Sequence, residues 1–175
     1  MTLSPDRAPQ PPAFSRIRRN HALEHATIHL LAARFPRRPL VGRSDTLGFT
    51  LYGEVTTQAV EQATLEALDR LRRGESGLAL HPNCGTNLLT AGILAGGAAF
   101  LALLASRPDE RLRDRLLRLP TAILAATLAL IAAQPVGMIL QQRVTTYADP
   151  GPLRVVAVQQ LRRTPFCVHR ILTAH

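Results

Sequence analysis

The segment NHALEHATIH, residues 20–29, places three histidines and a glutamate within about two and a half helical turns. His21, Glu24 and His25 read H-x-x-E-H, and His29 repeats the four-residue step once more. Residues four apart on a helix stand one above the other, so His21 and His25 can close on one cation while Glu24 stands at the edge of the same face. Two imidazoles and a neighbouring carboxylate suit Zn²⁺ and a proton acceptor for a metal-bound water. A second group follows in HPNCGTN, where His81 and Cys84 have H-x-x-C spacing. His21, His25, His81 and Cys84 would make a tetrahedral set of three nitrogens and a sulfur, or three ligands and a water if one is absent. These four are the expected ligands, zinc or another divalent metal the expected cofactor, and Glu24 the expected catalytic base.

Blander readings stand beside that one. His29 has nearer competitors for a metal, so a core or supporting role suits it better. Cys84 can be a small buried residue before a helix that Asn83 or Thr86 caps. Glu54, Glu61 or Glu66 could replace it as the distant ligand.

The elements that must position these groups follow from periodicity. Apolar residues from Ile17 to Leu31 predict a helix over residues 16–35, ended by Pro36. Leu47, Phe49 and Leu51 alternate with Gly48, Thr50 and Tyr52, which predicts a strand paired with Pro39–Val41 across a turn at Gly42–Thr46. Thr56 or Thr57 can cap a second helix running to about Arg73, with Gly74 as its stop. LRVVAVQQL and FCVHRIL have strand character and would extend the same sheet.

Thr86–Leu104 and Leu119–Gln142 contain no charged residue and have 19 and 24 residues. About 20 residues at 1.5 Å each cross a 30 Å hydrocarbon core, so both runs can span a bilayer. Gly92 with Gly96, and Ala125 with Ala129 and Ala133, are the small-residue faces that let such helices approach closely. Pro135 should kink the second span. The connecting stretch, residues 105–118, has five arginines, and five more lie within about 20 residues on the other side, so arginine bias does not orient the hairpin. Two cysteines that call for no disulfide, and a long charged N-terminal part, favour both termini in the cytoplasm.

All 21 basic residues are arginine and the net charge is +9, but aromatic residues are only 4%. Without a stacking platform or RNA-binding signature, a membrane surface accounts for the arginines better than nucleic acid does. No acid or base lies inside either apolar run, which disfavours a transporter.

The HxxEH stretch is similar to the motif of the inverzincin metallopeptidases, a resemblance covering five residues that implies a zinc-dependent peptidase. Peptide deformylases, which join two helix histidines to a cysteine, offer an analogy. NHALEHATIHLL, GFTLYGEVTT, HPNCGTNL and the two spans together resemble an uncharacterised bacterial membrane family, a domain of unknown function, over nearly all the chain after residue 16.

The expected fold is α+β: a small cytoplasmic helix and strand portion attached to a two-helix transmembrane hairpin. Its parts are a disordered leader over 1–15, a helix–hairpin–helix portion over 16–85, the hairpin over 86–142 and C-terminal strands over 143–175. The expected function is a multi-pass inner-membrane metal protein, either a zinc-dependent hydrolase acting on a peptide or membrane protein near the bilayer surface, or a non-catalytic protein with a structural metal or haem, or a subunit of a membrane complex.

Overall fold

The computed structural model describes residues 12–104, 116–164 and 166–175. The expected leader lies outside the described residues as far as residue 11, as does most of the connecting stretch 105–118. The chain falls into two compact units, Met1–His81 with Val144–His175, and Pro82–Arg143.

The first unit is α+β. Helix α1 (Ala13–Arg34) begins three residues earlier than the apolar pattern indicates, and is followed by β1 (Val41–Asp45), β2 (Gly48–Tyr52) and α2 (Thr57–Arg72). A short 3₁₀ turn, Ser76–Ala79, leads to His81, and β3 (Arg154–Arg162) and β4 (Val168–Ala174) return after the second unit. The antiparallel sheet has the order β1-β2-β4-β3, which leaves β1 at an edge. The expected turn at Gly42–Thr46 is corrected here. Gly42 through Asp45 are strand, with Gly42 opposite Leu51 and Ser44 opposite Phe49, and the reversal is made by Thr46 and Leu47 alone. The Asp45 carboxylate accepts from the Leu47 amide, a local bond that closes the loop.

Alternation along the strands decides the faces. Phe49, Leu51, His169 and Ile171 are fully buried, and the register sets Phe49 opposite Ile171 and Leu51 opposite His169. This side packs beneath α1 and α2, joining Leu23, Leu31, Val60 and Ala63 in one core. On the other side Arg170 pairs with Asp45 at 2.8 Å and reaches Thr50. Helix α2 has the expected boundaries. Thr56 caps it by accepting from the Ala59 amide. Its end is a Schellman closure, with Gly74 donating to Leu71 and Glu75 to Arg70, and Gly74 takes the left-handed φ of +88° that this closure needs.

The second unit is a pair of apolar helices, α3 (Gly85–Leu104) and α4 (Leu119–Leu140), and a π-helical turn, Gln141–Thr145, follows α4. Their mean hydropathies are 1.9, and 2.1 for α4 with that turn, so both are long and apolar enough to cross a membrane. Helix α4 continues through Pro135. Its buried residues, Ala122, Ala133 and Gly137, are all small, and the expected Ala125 and Ala129 are half-buried on the same helix. The expected Gly92–Gly96 pair differs: both glycines are exposed, and a Cβ at either would meet nothing within 4 Å. Asn87 and Thr90 are the buried residues of α3 instead.

Candidate metal centre

Helix α1 runs unbroken from Ala13 to Arg34 and so carries His21, His25 and His29, each four residues apart, in one row. Each ring is held by a main-chain carbonyl from elsewhere in the unit. His21 Nδ1 lies 2.9 Å from the Thr145 carbonyl, His25 Nδ1 2.8 Å from Ala79 and His29 Nε2 2.7 Å from Leu80. A carbonyl oxygen only accepts, so each of these nitrogens donates its N–H. In the neutral ring the lone pair of His21 and His25 then sits on Nε2, and that of His29 on Nδ1. Metal-binding histidines are fixed by the same arrangement, in which one nitrogen is anchored and the other carries the ligating pair.

The residues after the 3₁₀ turn run beside this row and bring His81 to it. The ring of His81 is 5.7 Å from that of His25 and 4.8 Å from that of His29, and the His21 and His25 rings are 4.3 Å apart. Ring nitrogens of His21 and His25 come within 4.8 Å of each other. Two nitrogens sharing a tetrahedral zinc stand roughly 3.3 Å apart, so small side-chain rotations close the difference. Burial, then the nearby His29 and His25, push the pKa of His81 down to about 4. At neutral pH that ring is uncharged and able to donate a lone pair.

Glu24 leaves the row on its sheet-facing edge. Its side chain is 4% exposed, and Ser44 Oγ donates to its Oε2 at 2.5 Å. Burial raises the pKa of this carboxyl, against the lowering influence of the Ser44 hydroxyl and of His21. Asn20, next to the row, is fully buried and ties three elements together: its amide donates to the Asp45 carbonyl, and its oxygen accepts from Thr173.

Of the expected site residues, His21, Glu24, His25 and His81 all lie in the first unit, and the three histidines are adjacent. Cys84 belongs to the second unit, immediately before α3, where its carbonyl accepts from the Asn87 and Leu88 amides and so starts the helix. Glu66 faces elsewhere, paired with Arg34 at 2.5 Å, and Glu54 lies beside Cys167. Sequence reasoning missed Gly42, Ser44 and Asn20, and the three anchoring carbonyls have no sequence signal at all.

Fold and site define a class: an α+β protein with two apolar helices of membrane-crossing length and a carbonyl-anchored row of histidines on its first helix. The chain belongs to a family described as a domain of unknown function, DUF6391, whose model matches residues 16–158. An uncharacterised protein of Picosynechococcus sp. (strain ATCC 27264 / PCC 7002 / PR-6) is 40% identical over 158 residues, covering 82% of this chain and 72% of that relative. No solved structure matches the chain significantly.

Proposed function

We propose that this is a membrane-anchored metal-binding protein, with zinc as the cation and His21, His25 and His81 as its nitrogen donors. The observation that carries the reading is the anchoring of His21 and His25 through Nδ1 to main-chain carbonyls, four residues apart on one helix face, with an uncharged His81 alongside. Cys84 is the proposed fourth donor. It follows His81 at H-x-x-C spacing. A nitrogen- and sulfur-rich donor set favours zinc over the harder Mg²⁺ or Ca²⁺. The two apolar helices support a bilayer as partner, the inner membrane with both termini cytoplasmic being the proposed arrangement.

The finer proposal is hydrolysis of a peptide or membrane protein near the bilayer surface. A bound zinc would lower the pKa of a water held at the site. Glu24, with its carboxyl pKa raised by burial toward the working range of a general base, would accept the proton, and the HxxEH order is that of the inverzincins. A second reading is favoured by one observation: the Glu24 carboxyl is already engaged by Ser44. In that reading Glu24 supports His21 from outside a structural metal site.

Elemental analysis and a Glu24→Gln variant test both levels. Wild type purified in detergent should hold about one zinc per chain, the stoichiometry of a single tetrahedral site. The hydrolytic reading expects Glu24→Gln to keep its zinc and to accumulate an uncleaved substrate in the membrane proteome. The supporting reading expects roughly 10–100-fold weaker zinc and an unchanged proteome. Wild type without stoichiometric metal ends both.

A further inference from the structure

Gly42 and Ser44 are alternate residues of β1, so both project to the face that packs against α1. Gly42 has ordinary extended backbone paired with Leu51, and nothing in its conformation calls for glycine. The space does. A Cβ at position 42 would stand within 2.6 Å of Glu24 Cγ and closer still to its Cδ and Oε1, all atoms of one side chain that is itself buried. A glycine inside a strand often marks such a close approach. Two residues on, the Ser44 hydroxyl donates to the other carboxyl oxygen. The carboxyl of Glu24 therefore occupies the space of a missing side chain and is tethered at its other oxygen.

The geometry points to Gly42 and Ser44 as positioning residues for Glu24, a two-residue cradle on the edge strand that fixes where the carboxyl of the HxxEH motif points. The proposal rests on the metal-site reading for its functional meaning, but the cradle itself is a matter of packing and hydrogen bonding that can be measured separately. Its logic extends to the hairpin. A one-residue slip of β1 would present Val41 and Arg43 to Glu24 in place of Gly42 and Ser44. The two-residue turn at Thr46 and Leu47, closed by Asp45, holds the register that prevents it. Strand β1 is thus selected at alternate positions by the needs of a side chain on α1.

The experiment uses the full chain in detergent and has two parts. In a thermal double-mutant cycle, Gly42→Ala is measured alone and in a Glu24→Ala background. The cradle predicts a loss of roughly 3–8 °C in Tm for Gly42→Ala with Glu24 present, and almost none without it. Equal losses in the two backgrounds would overturn the cradle. In the second part Co²⁺ replaces zinc as a coloured probe, and its affinity and visible spectrum are read in Gly42→Ala, Ser44→Ala and Ser44→Thr. The visible bands should alter in the first two and return near wild type in Ser44→Thr, which keeps the hydroxyl; affinity should weaken roughly 10–100-fold with them where Glu24 supports the ligands, and hold where it serves as the base. Unchanged cobalt bands in folded Gly42→Ala and Ser44→Ala would reduce the cradle to packing and overturn the positioning role. Failure of wild type to take up any cobalt sinks the metal reading instead, and the thermal cycle still decides whether the cradle exists.

Discussion

The two units hydrogen-bond polar side chains to opposite ends. In the first, His21, His25 and His29 each give one ring N–H to a main-chain carbonyl, and each ring has a second nitrogen. In the second, Gln141 donates to Asn87 at 2.7 Å, and Asn87 donates to the Pro82 carbonyl at 2.8 Å. An amide nitrogen has no lone pair to offer a metal, whereas an imidazole anchored on one side still does. Both arrangements meet the rule that buried polar groups must be bonded. A ring nitrogen suited to zinc belongs to the first arrangement, whereas the amides of the second offer only oxygens. A hydrogen-bonded polar cluster therefore becomes a candidate site through the atom types it presents; burial would rank the two the other way, since Asn87 and Gln141 are buried while His21 and His29 are half-buried.

The contrast breaks most visibly if the second unit is not in a bilayer. Alkaline carbonate should leave the protein wholly in the membrane pellet, because Leu89, Ile93, Leu101, Ile123, Leu128 and Ile131 are all more than half exposed. In a Cys84→Ser, Cys167→Ser background, single cysteines at positions 58 and 159 should label from one side and one at position 112 from the other. Release into the soluble fraction would make the helix pair a surface for another protein. Next in size is the metal. His25→Ala should abolish stoichiometric zinc, since one helix imidazole cannot chelate alone, while His29→Ala should weaken binding only about 10–100-fold as an outer partner. Equal loss from both would move His29 into the ligand set and redraw the site.

Much of this comparison was legible in the sequence, and what was missed has a physical reason. The HxxEH spacing, the cap at Thr56, the stop at Gly74 and the alternation of Phe49 and Leu51 are local signals, and local physics carries them into the structure. The stretch Gly42–Asp45 was misread as a turn because Gly, Ser and Asp are turn formers. Its glycine answers instead to a glutamate 18 positions earlier, a constraint that no window of sequence contains. The same holds for the carbonyls of Ala79, Leu80 and Thr145, since every residue has one and only the fold chooses which meet an imidazole. The small-residue rule succeeded for Ala133 and failed for Gly92 and Gly96, because it states what permits close approach and not which face will be used.

A smaller effect sharpens the other half of the comparison. If Asn87 and Gln141 serve only to join two helices, removing the bond should cost stability and nothing else. Asn87→Ala should destabilise the detergent-solubilised protein by about 1–2 kcal/mol, the scale of an interhelical hydrogen bond in an apolar setting. Gly137→Ala should act in the same direction, because its Cβ would lie within 3.0 Å of Asn87 Cγ and nearer its Oδ1. Zinc content per folded chain should be unchanged in both. A loss of metal in Asn87→Ala would show that the amide pair matters to the site and would end the division of roles.

The smallest effect concerns His169, a histidine of the first unit that lies outside the row. It is fully buried on β4, its Nε2 is 3.2 Å from Thr57 Oγ1, and its Nδ1 has no hydrogen-bond partner among the described residues. Burial lowers its pKa below the usual value of 6.5, because the charged ring would lose its hydration without gaining a counter-charge. The unfolded chain therefore binds a proton more readily than the folded one over the interval below pH 6.5. The linkage sign follows: this ring's contribution is fully present above about pH 6.5 and is lost as the pH falls toward its folded pKa. His81 and His175, also lowered by burial, shift stability in the same direction, so the wild-type slope alone would not identify His169. His169→Leu isolates it. Leucine fills a similar volume and removes the unpartnered nitrogen, and half-buried Thr57 can turn its hydroxyl to water. Denaturant midpoints of the two proteins should differ least at pH 5 or differ in the variant's favour there, and separate toward wild type between pH 5 and 7. Parallel midpoints across that interval would mean that His169 keeps the same proton affinity folded and unfolded, and that the ring has a partner which its buried surroundings do not show.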